Sequence, residues 1–181
     1  MDDQPEVEEV GSDYSSVVAE NVSLSNTNVE SVKADIVHIS GGYVQELMAD
    51  QVEGHNGLLL SVNAQQATVQ DSLALLVNAG DLEGTDAMVL LANAGDVHAK
   101  ESNFGAVAAE TVHLEGSQAA MLFAGQVQAD HIRTTVLLAS KVEGNVETLV
   151  DTPRALLAGL SAGVGMGLVL LVMRLLKRRI G

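Results

Sequence analysis

Residues 78–99, NAGDLEGTDAMVLLANAGDVHA, contain the same tetrapeptide twice, fifteen residues apart. Asn78–Asp81 returns as Asn93–Asp96, and an aliphatic residue follows each copy. The period extends along the chain, because stepping by fifteen residues from Val22 meets an aliphatic residue at every step as far as Val142. A second register places alanine at every step from residue 34 to residue 139. The chain is therefore a repeat protein with a strict fifteen-residue unit.

The pattern inside each unit is typical of short β-strands. Apolar residues occur two apart around a polar one, as in Val77-Asn78-Ala79, and Gly-Asp or Gly-Gln corners interrupt them. Alternation with period two indicates strands, whereas an amphipathic helix needs a spacing near 3.6 residues and two-helix repeats need about 33 residues or more. The predicted fold is all-β, a single-stranded parallel β-solenoid with fifteen-residue coils, plus one C-terminal transmembrane α-helix. Successive coils should stack about 4.8 Å apart.

The coil positions that carry apolar residues predict the cross-section. If Val22 and its equivalents are position 1, apolar pairs at positions 1 and 3, 6 and 8, and 11 and 13 favour a three-sided coil. A flatter, two-sided coil fits almost as well. The alanine register falls at position 13 and predicts a column inside the coil where the interior is narrow, in keeping with an aromatic content of 2%. We expect a disordered acidic segment at 1–20, about nine coils at 21–151, and a membrane helix with a basic end at 152–181.

Charge is divided sharply along the chain. All 24 acidic residues lie at or before Asp151, and only four basic residues accompany them, so this part carries a net charge of −20. A body this acidic repels phosphates, and nucleic acid is not an expected partner. The chain has no cysteine, so it has no disulfide framework and no thiolate metal site.

Several strands are apolar at outward-facing positions as well as inward ones. Position 2 is polar in every coil and should face water, but runs such as Leu73–Val77 and Met88–Ala92 do not alternate. Strand residues that are apolar on both sides are usually buried on both sides, so the outward set needs a cover. We favour a second copy of the chain over a folded-back terminal segment or an unrelated partner. The predicted self-association face comprises Leu76, Leu91, Met121, Phe123, Val136 and Leu138.

The C-terminal segment has the features of a membrane anchor. Thr152 and Pro153 suit the start of a helix, and the nineteen residues from Ala155 to Met173 are uncharged, long enough to span a bilayer. Small residues four apart let two such helices approach closely, which predicts parallel homo-oligomers. These residues are Ala155, Gly159, Gly163 and Gly167, and the predicted membrane-interface cations are Arg174, Lys177, Arg178 and Arg179.

The orientation of the anchor follows from two opposing arguments. The basic end favours a cytoplasmic C-terminus by the positive-inside rule. That orientation requires export of the acidic body, although the N-terminus has no signal peptide. We therefore expect a single-pass protein with a cytoplasmic solenoid. The tail also resembles the anchors of small bacterial tail-anchored inner-membrane proteins, in its Pro153, its glycine series and its basic cluster.

No residue constellation in the sequence predicts catalysis or a cofactor. His98 and His113 occupy the same position in adjacent coils, but no third metal ligand accompanies them. Asp81 and Asp96 follow glycines as corner residues. The repeats leave no long loop to build a pocket, and no nucleotide-binding or triad motif occurs. We expect no enzyme activity, no cofactor and no metal. The asparagines that share position 12 predict a stacked ladder, formed by Asn63, Asn78 and Asn93.

The repeat resembles that of bactofilins, bacterial cytoskeletal proteins with a β-helical core and flexible ends, some of them membrane-associated. The residues that carry the resemblance are the corners VEG (52–54), LEG (82–84), VHA (97–99) and VQA (127–129). It implies end-to-end polymerisation into filaments. The fifteen-residue coil is shorter than that family's, however, and the anchor is C-terminal. The acidic lead-in would block one end of the solenoid and the membrane helix the other, which favours a closed oligomer.

These observations predict a non-enzymatic membrane scaffold or spacer that holds an acidic surface at a distance from a bilayer. The rival hypothesis is an accessory or binding subunit that docks on another membrane complex through the same apolar face.

Overall fold

The computed structural model describes residues 6–10 and 13–150 of the chain and confirms the all-β fold. The strands are β1 Glu6–Val10, β2 Asp13–Val18, β3 Asn21–Lys33, β4 Ile36–Gln70, β5 Leu73–Thr85, β6 Met88–Lys100, β7 Asn103–Glu115 and β8 Gln118–Val150. They form one sheet in chain order, with β2 also paired to β3. All the pairings are parallel, and together they make a β-solenoid of about nine turns. The predicted helix of 152–181 lies outside the described residues.

The strand register confirms the fifteen-residue coil. Val22 pairs with Val37, Leu82 with Val97, and Val112 with Val127. Each residue therefore stacks on the residue fifteen positions earlier, and every coil position becomes a column along the solenoid axis.

The solenoid includes residues that the sequence assigned to a disordered lead-in. Val7 pairs with Val22, and Val17 pairs with Val32. Val17 is 7% exposed and belongs to the core. The fifteen-residue register thus extends back to β1, where Glu6–Val10 pair with Asn21–Ser25.

The cross-section is three-sided. In the coil of residues 67–81 the buried positions are 1, 3, 6, 8 and 11, with position 13 partly buried. Inward positions two apart lie on one side of the coil, and the three-residue steps between the pairs are corners. Hydrogen-bonded pairing also skips positions 9 and 14. The first side comprises positions 1–3, the second side 6–8 and the third side 11–13.

A left-handed residue forms the corner between the first and second sides. Seven successive coils place a residue with φ between +48° and +80° at position 5. Asparagine, aspartate and glycine are the residues that adopt this conformation most readily, and they fill the column with one exception, Glu101. The column is Asn26, Gly41, Asn56, Asp71, Asp86, Glu101 and Gly116.

The alanine column lies at the edge of the core instead of at its centre. Residues Ala34 to Ala139 at position 13 are partly buried and pack against the core. The centre is filled by larger side chains, such as Leu59, Leu82 and Leu122, each at most 1% exposed. The tight spacing that the alanines predict therefore occurs next to them, at the corner of position 14, where adjacent coils approach closely. There a Cβ on Gly80 would lie 2.7 Å from the carbonyl oxygen of Gln65.

Buried hydroxyl groups complete the hydrogen bonding after the left-handed corner. Ser102 at position 6 is 1% exposed, and its Oγ accepts a hydrogen bond from the Ala87 N–H at 3.1 Å. The same hydroxyl donates to the Lys100 carbonyl at 2.8 Å. Ser117 repeats the arrangement by accepting from the Ser102 N–H at 3.1 Å. Each serine thus joins its own coil to the preceding one where the strands are interrupted.

We expect Ser102→Ala to lower the free energy of unfolding by about 1–3 kcal/mol, because it leaves the buried Ala87 N–H without this acceptor. The control is Ser140→Ala at an exposed corner, which should change stability by less than about 0.5 kcal/mol. Chemical denaturation followed by circular dichroism measures both. Equal stability of the two variants would show that the hydroxyl bridge contributes nothing.

Candidate functional site: an apolar strip without carboxylates

Large apolar side chains form an exposed strip in two parts on the second and third sides of the solenoid. Each is between 37% and 53% exposed. We call this surface the apolar strip. It consists of Leu58, Leu73, Leu75, Leu76, Met88, Leu90, Leu91, Met121, Phe123 and Leu138, with Leu60 and Val136 partly buried beside them.

The strip runs diagonally across the coils. In its first coil it occupies positions 7 and 9, and in the next two coils it occupies positions 7, 9 and 10. Leu58 pairs with Leu73, and Leu73 pairs with Met88. In its last two coils it occupies positions 10 and 12, as with Met121 and Phe123. The coil between the two parts carries no large apolar side chain on this surface, where its residues are Asn103, Gly105, Ala106 and Ala108. The strip therefore passes from the second side over a corner to the third side as the chain approaches its C-terminal end.

Carboxylates are segregated from the strip. Within residues 57–138, positions 7–12 carry no Asp or Glu in any coil. The carboxylates of this range lie at positions 2, 4, 5, 14 and 15, as with Glu83, Asp86 and Asp96. Before the strip begins, positions 9 and 10 do carry acidic residues, Glu30 and Glu46, both exposed. The strip is thus an uncharged surface on a strongly acidic body, with two carboxylates beyond its N-terminal end.

The area of the strip is large enough for a stable interface. The combined exposure of its ten side chains equals about four fully exposed ones, on the order of 400–500 Å² of apolar surface. A standard interface buries about 800 Å² on each partner, of which roughly 60% is apolar. The two areas are comparable, so the strip meets this requirement for a docking surface.

The structure exposes five of the six residues predicted for the self-association face. Leu76, Leu91, Met121, Phe123 and Leu138 are 38–47% exposed, and Val136 is partly buried. That they mediate self-association stays a prediction. The six predicted residues occupy positions 10 and 12 alone, and the exposed residues at positions 7 and 9 were not predicted, although they share the same apolar runs. The missed residues are Leu58, Leu73, Leu75, Met88 and Leu90.

The predicted membrane-helix residues lie outside the described residues. They are Ala155, Gly159, Gly163, Gly167, Arg174, Lys177, Arg178 and Arg179. The described part of the chain contains no helix of the length and hydropathy that a membrane span needs.

The first side carries a polar ladder. Nδ1 of His38 lies 2.9 Å from Oε2 of Glu53, one coil away. The rings of His98 and His113 contact each other with centroids 5.6 Å apart. In the coils described, no three His, Asp or Glu side chains are grouped so that they could hold a metal ion. This side therefore offers polar contacts between coils, and no ligand set for a metal was found on it.

The same ladder continues toward the C-terminal coil. Nδ1 of His113 and Oε1 of Gln128 are 3.3 Å apart, and Nε2 of Gln128 donates to Oε2 of Glu143 at 3.3 Å. Hydrogen bonds from Lys141 and Gln128, together with the Lys141 charge, hold the pKa of the Glu143 carboxyl below its usual value.

The asparagine ladder occurs on the third side. Nδ2 of Asn93 donates to Oδ1 of Asn78 at 2.8 Å, and Asn63 pairs with Asn78 in the strand register. This column borders the first part of the strip and gives it one polar edge.

Comparison with known proteins gives no relative. No family model, curated protein or solved structure matches the chain. The resemblance to bactofilins and the expected lack of catalysis stay predictions.

Proposed function

We propose that the protein is a non-enzymatic structural scaffold, anchored in a membrane by its C-terminal helix, whose copies associate in parallel. Association would use the apolar strip and the small-residue series of the membrane helix. The observation that carries the proposal is the carboxylate-free apolar strip. A solenoid of net charge near −20 would otherwise repel its own copies. On the apolar strip, two copies can meet without bringing their negative charges together.

The geometry of the solenoid supports a spacer role. About nine coils at roughly 4.8 Å per coil make a rod of about 40 Å, and its stiffness comes from continuous backbone pairing. Two rods joined along the strip would turn their acidic first sides outward. In this arrangement the scaffold presents a negatively charged surface at a fixed distance from the bilayer, on the cytoplasmic side.

The second candidate function is an accessory subunit of a larger membrane complex. The same strip favours it, since an apolar surface of this size also fits an unrelated partner. Purification of the full chain in mild detergent distinguishes the two. A scaffold gives homo-oligomers alone, whereas an accessory subunit is recovered with other chains in fixed ratio.

We expect Leu76→Ser combined with Leu91→Ser to raise the dissociation constant of the homo-oligomer at least about tenfold, because each replacement removes part of the shared apolar area. Thr68→Ser with Glu83→Ser changes the first side in the same two coils and should leave association unchanged. Light scattering coupled to size-exclusion chromatography in detergent measures the mass of each. A wild-type chain that stays monomeric at all concentrations would contradict the proposal.

A further inference from the structure

We propose that the apolar strip has an occupant within its own chain: before membrane insertion, residues 155–173 pack along it as a helix, with the basic cluster of residues 174–179 at Glu46 and Glu30. This inference rests on the proposed function, since it concerns the same strip and tail. Insertion of the tail into a bilayer then uncovers the strip for a second copy, so that self-association is coupled to the membrane.

The last described residue lies at the corner that carries the strip. β8 ends at Val150, which is position 9 of its coil. The same column contains Leu75 and Leu90 of the strip. Four residues separate Val150 from Ala155, enough for the short connection that joins antiparallel elements. The tail thus starts beside the C-terminal end of the strip and can turn back along it.

The tail and the strip have the same length. From Leu138 to Leu58 the strip crosses about five coils, roughly 24 Å along the axis and roughly 27 Å along its diagonal. The nineteen uncharged residues from Ala155 to Met173 make a helix of about 28 Å. A helix that begins near Leu138 would therefore end near Leu58.

The surfaces of the strip and the tail are complementary in shape. Leu75 and Leu90 project from the corner, and the glycine series of the tail would leave a groove along one face of the helix for such side chains. In the middle of the strip, Gly105 and Ala106 leave room for the helix to approach the solenoid backbone.

Charge complementarity fixes the far end of the helix. Glu46 and Glu30 lie one and two coils beyond Leu60, or about 5 and 10 Å along the axis. A helix continued past Met173 carries Arg174 and Lys177–Arg179 over the next ~2–9 Å. Carboxylates thus occupy positions 9 and 10 in the two coils that the cations reach. No carboxylate occupies these positions in the coils under the uncharged segment.

Disulfide trapping tests the contact in the full chain, which has no cysteine of its own. The test variant is Ala106→Cys with Gly163→Cys, two positions near the midpoints of the strip and the helix. The control, His98→Cys with Gly163→Cys, uses position 2 of the same coil, on the first side. Both are made by cell-free synthesis without lipid and with phosphatidylcholine vesicles, and the disulfide is detected by its mobility on a non-reducing gel.

Without vesicles we expect the test pair to form an intramolecular disulfide in at least fivefold higher yield than the control, and vesicles to lower that yield at least fivefold. A yield equal to that of the control, or mainly intermolecular disulfides, overturns the inference. If the chain nevertheless self-associates in vesicles, that result supports the proposed function without the docking of the tail. A disulfide that forms equally with vesicles, in a chain that stays monomeric, supports the docking and overturns the membrane scaffold.

Charge reversal tests the basic end of the contact. Glu30→Lys with Glu46→Lys should lower the intramolecular disulfide yield severalfold, and adding Lys177→Glu and Arg178→Glu should restore it. Glu53→Lys with Glu83→Lys makes the same change of charge on the first side and should leave the yield unchanged. If both pairs of substitutions lowered the disulfide yield equally, the effect would come from net charge alone. That result, or a yield that the added Lys177→Glu and Arg178→Glu did not restore, would overturn the assigned contact.

Discussion

Gly42→Ala is expected to lower the free energy of unfolding by about 3 kcal/mol or more. Gly42 has φ of +96°, a conformation that L-residues rarely adopt. A Cβ at this residue would lie 2.1 Å from the carbonyl oxygen and 2.7 Å from the nitrogen of Thr27 in the preceding coil. Neither atom can move away freely, because both belong to the paired backbone of β3. In a domain of this size such a loss lowers the melting temperature by roughly 6–12 °C.

Gly57→Ala is the matched control for that substitution. Gly57 occupies the same coil position one coil later, but a Cβ there would meet its nearest atom, Cγ2 of Ile39, at 3.6 Å. That is an ordinary contact, and φ is not in the left-handed range. Alanine at 57 should therefore be neutral or stabilise by up to about 1 kcal/mol through the unfolded state. Melting followed by circular dichroism compares the two, and similar values would contradict the geometry of the corner at Gly42.

Deletion of one whole repeat is expected to preserve the fold, whereas deletion of one residue fewer is expected to disrupt it. Removing residues 78–92 joins Val77 to Asn93 and restores the sequence Val-Asn-Ala-Gly-Asp. Every later residue keeps its coil position, so the shortened solenoid should show unchanged ellipticity per residue. Its melting temperature should fall by only a few degrees, because each coil contacts mainly its two neighbours.

Removing residues 79–92 deletes fourteen residues and shifts every later residue by one coil position. Side chains that are buried in the native register, such as Val97 and Val112, would then face solvent, and polar side chains would face the core. We expect loss of cooperative unfolding and aggregation, measured by thermal melting and light scattering. A corner that absorbed the missing residue would make the two deletions equally stable and would contradict a strict fifteen-residue coil.

The two largest effects concern different properties of the same architecture. The repeat deletions test the register that all coils share, which is a property of the sequence period. The glycine pair tests one corner in which two coils approach within backbone contact. Proteins built from stacked coils tolerate the insertion or deletion of whole repeats. They tolerate few substitutions where the backbones of two coils are in contact, because the paired strands cannot move apart to make space.

The sequence by itself determined the period, the parallel solenoid and the positions that face the interior. It could do so because each coil position is a column, so a preference that is weak in one repeat becomes decisive over eight or nine. The exposure of Leu76, Leu91 and Phe123 was foreseen for the same reason. Apolar residues at outward-facing positions cannot be inside a coil whose inward positions are already occupied.

Only the tertiary structure decided between a two-sided and a three-sided coil and showed what lies beside the corners. The left-handed column at position 5, the serine bridge from Ser102 to Ala87 and the edge position of the alanines depend on how the backbone turns. The diagonal course of the strip, with Glu30 and Glu46 beyond its end, follows from stacking residues distant in sequence on a three-sided rod. One-dimensional spacing assigns each residue to a column, but the angle between adjacent sides determines which columns form one surface.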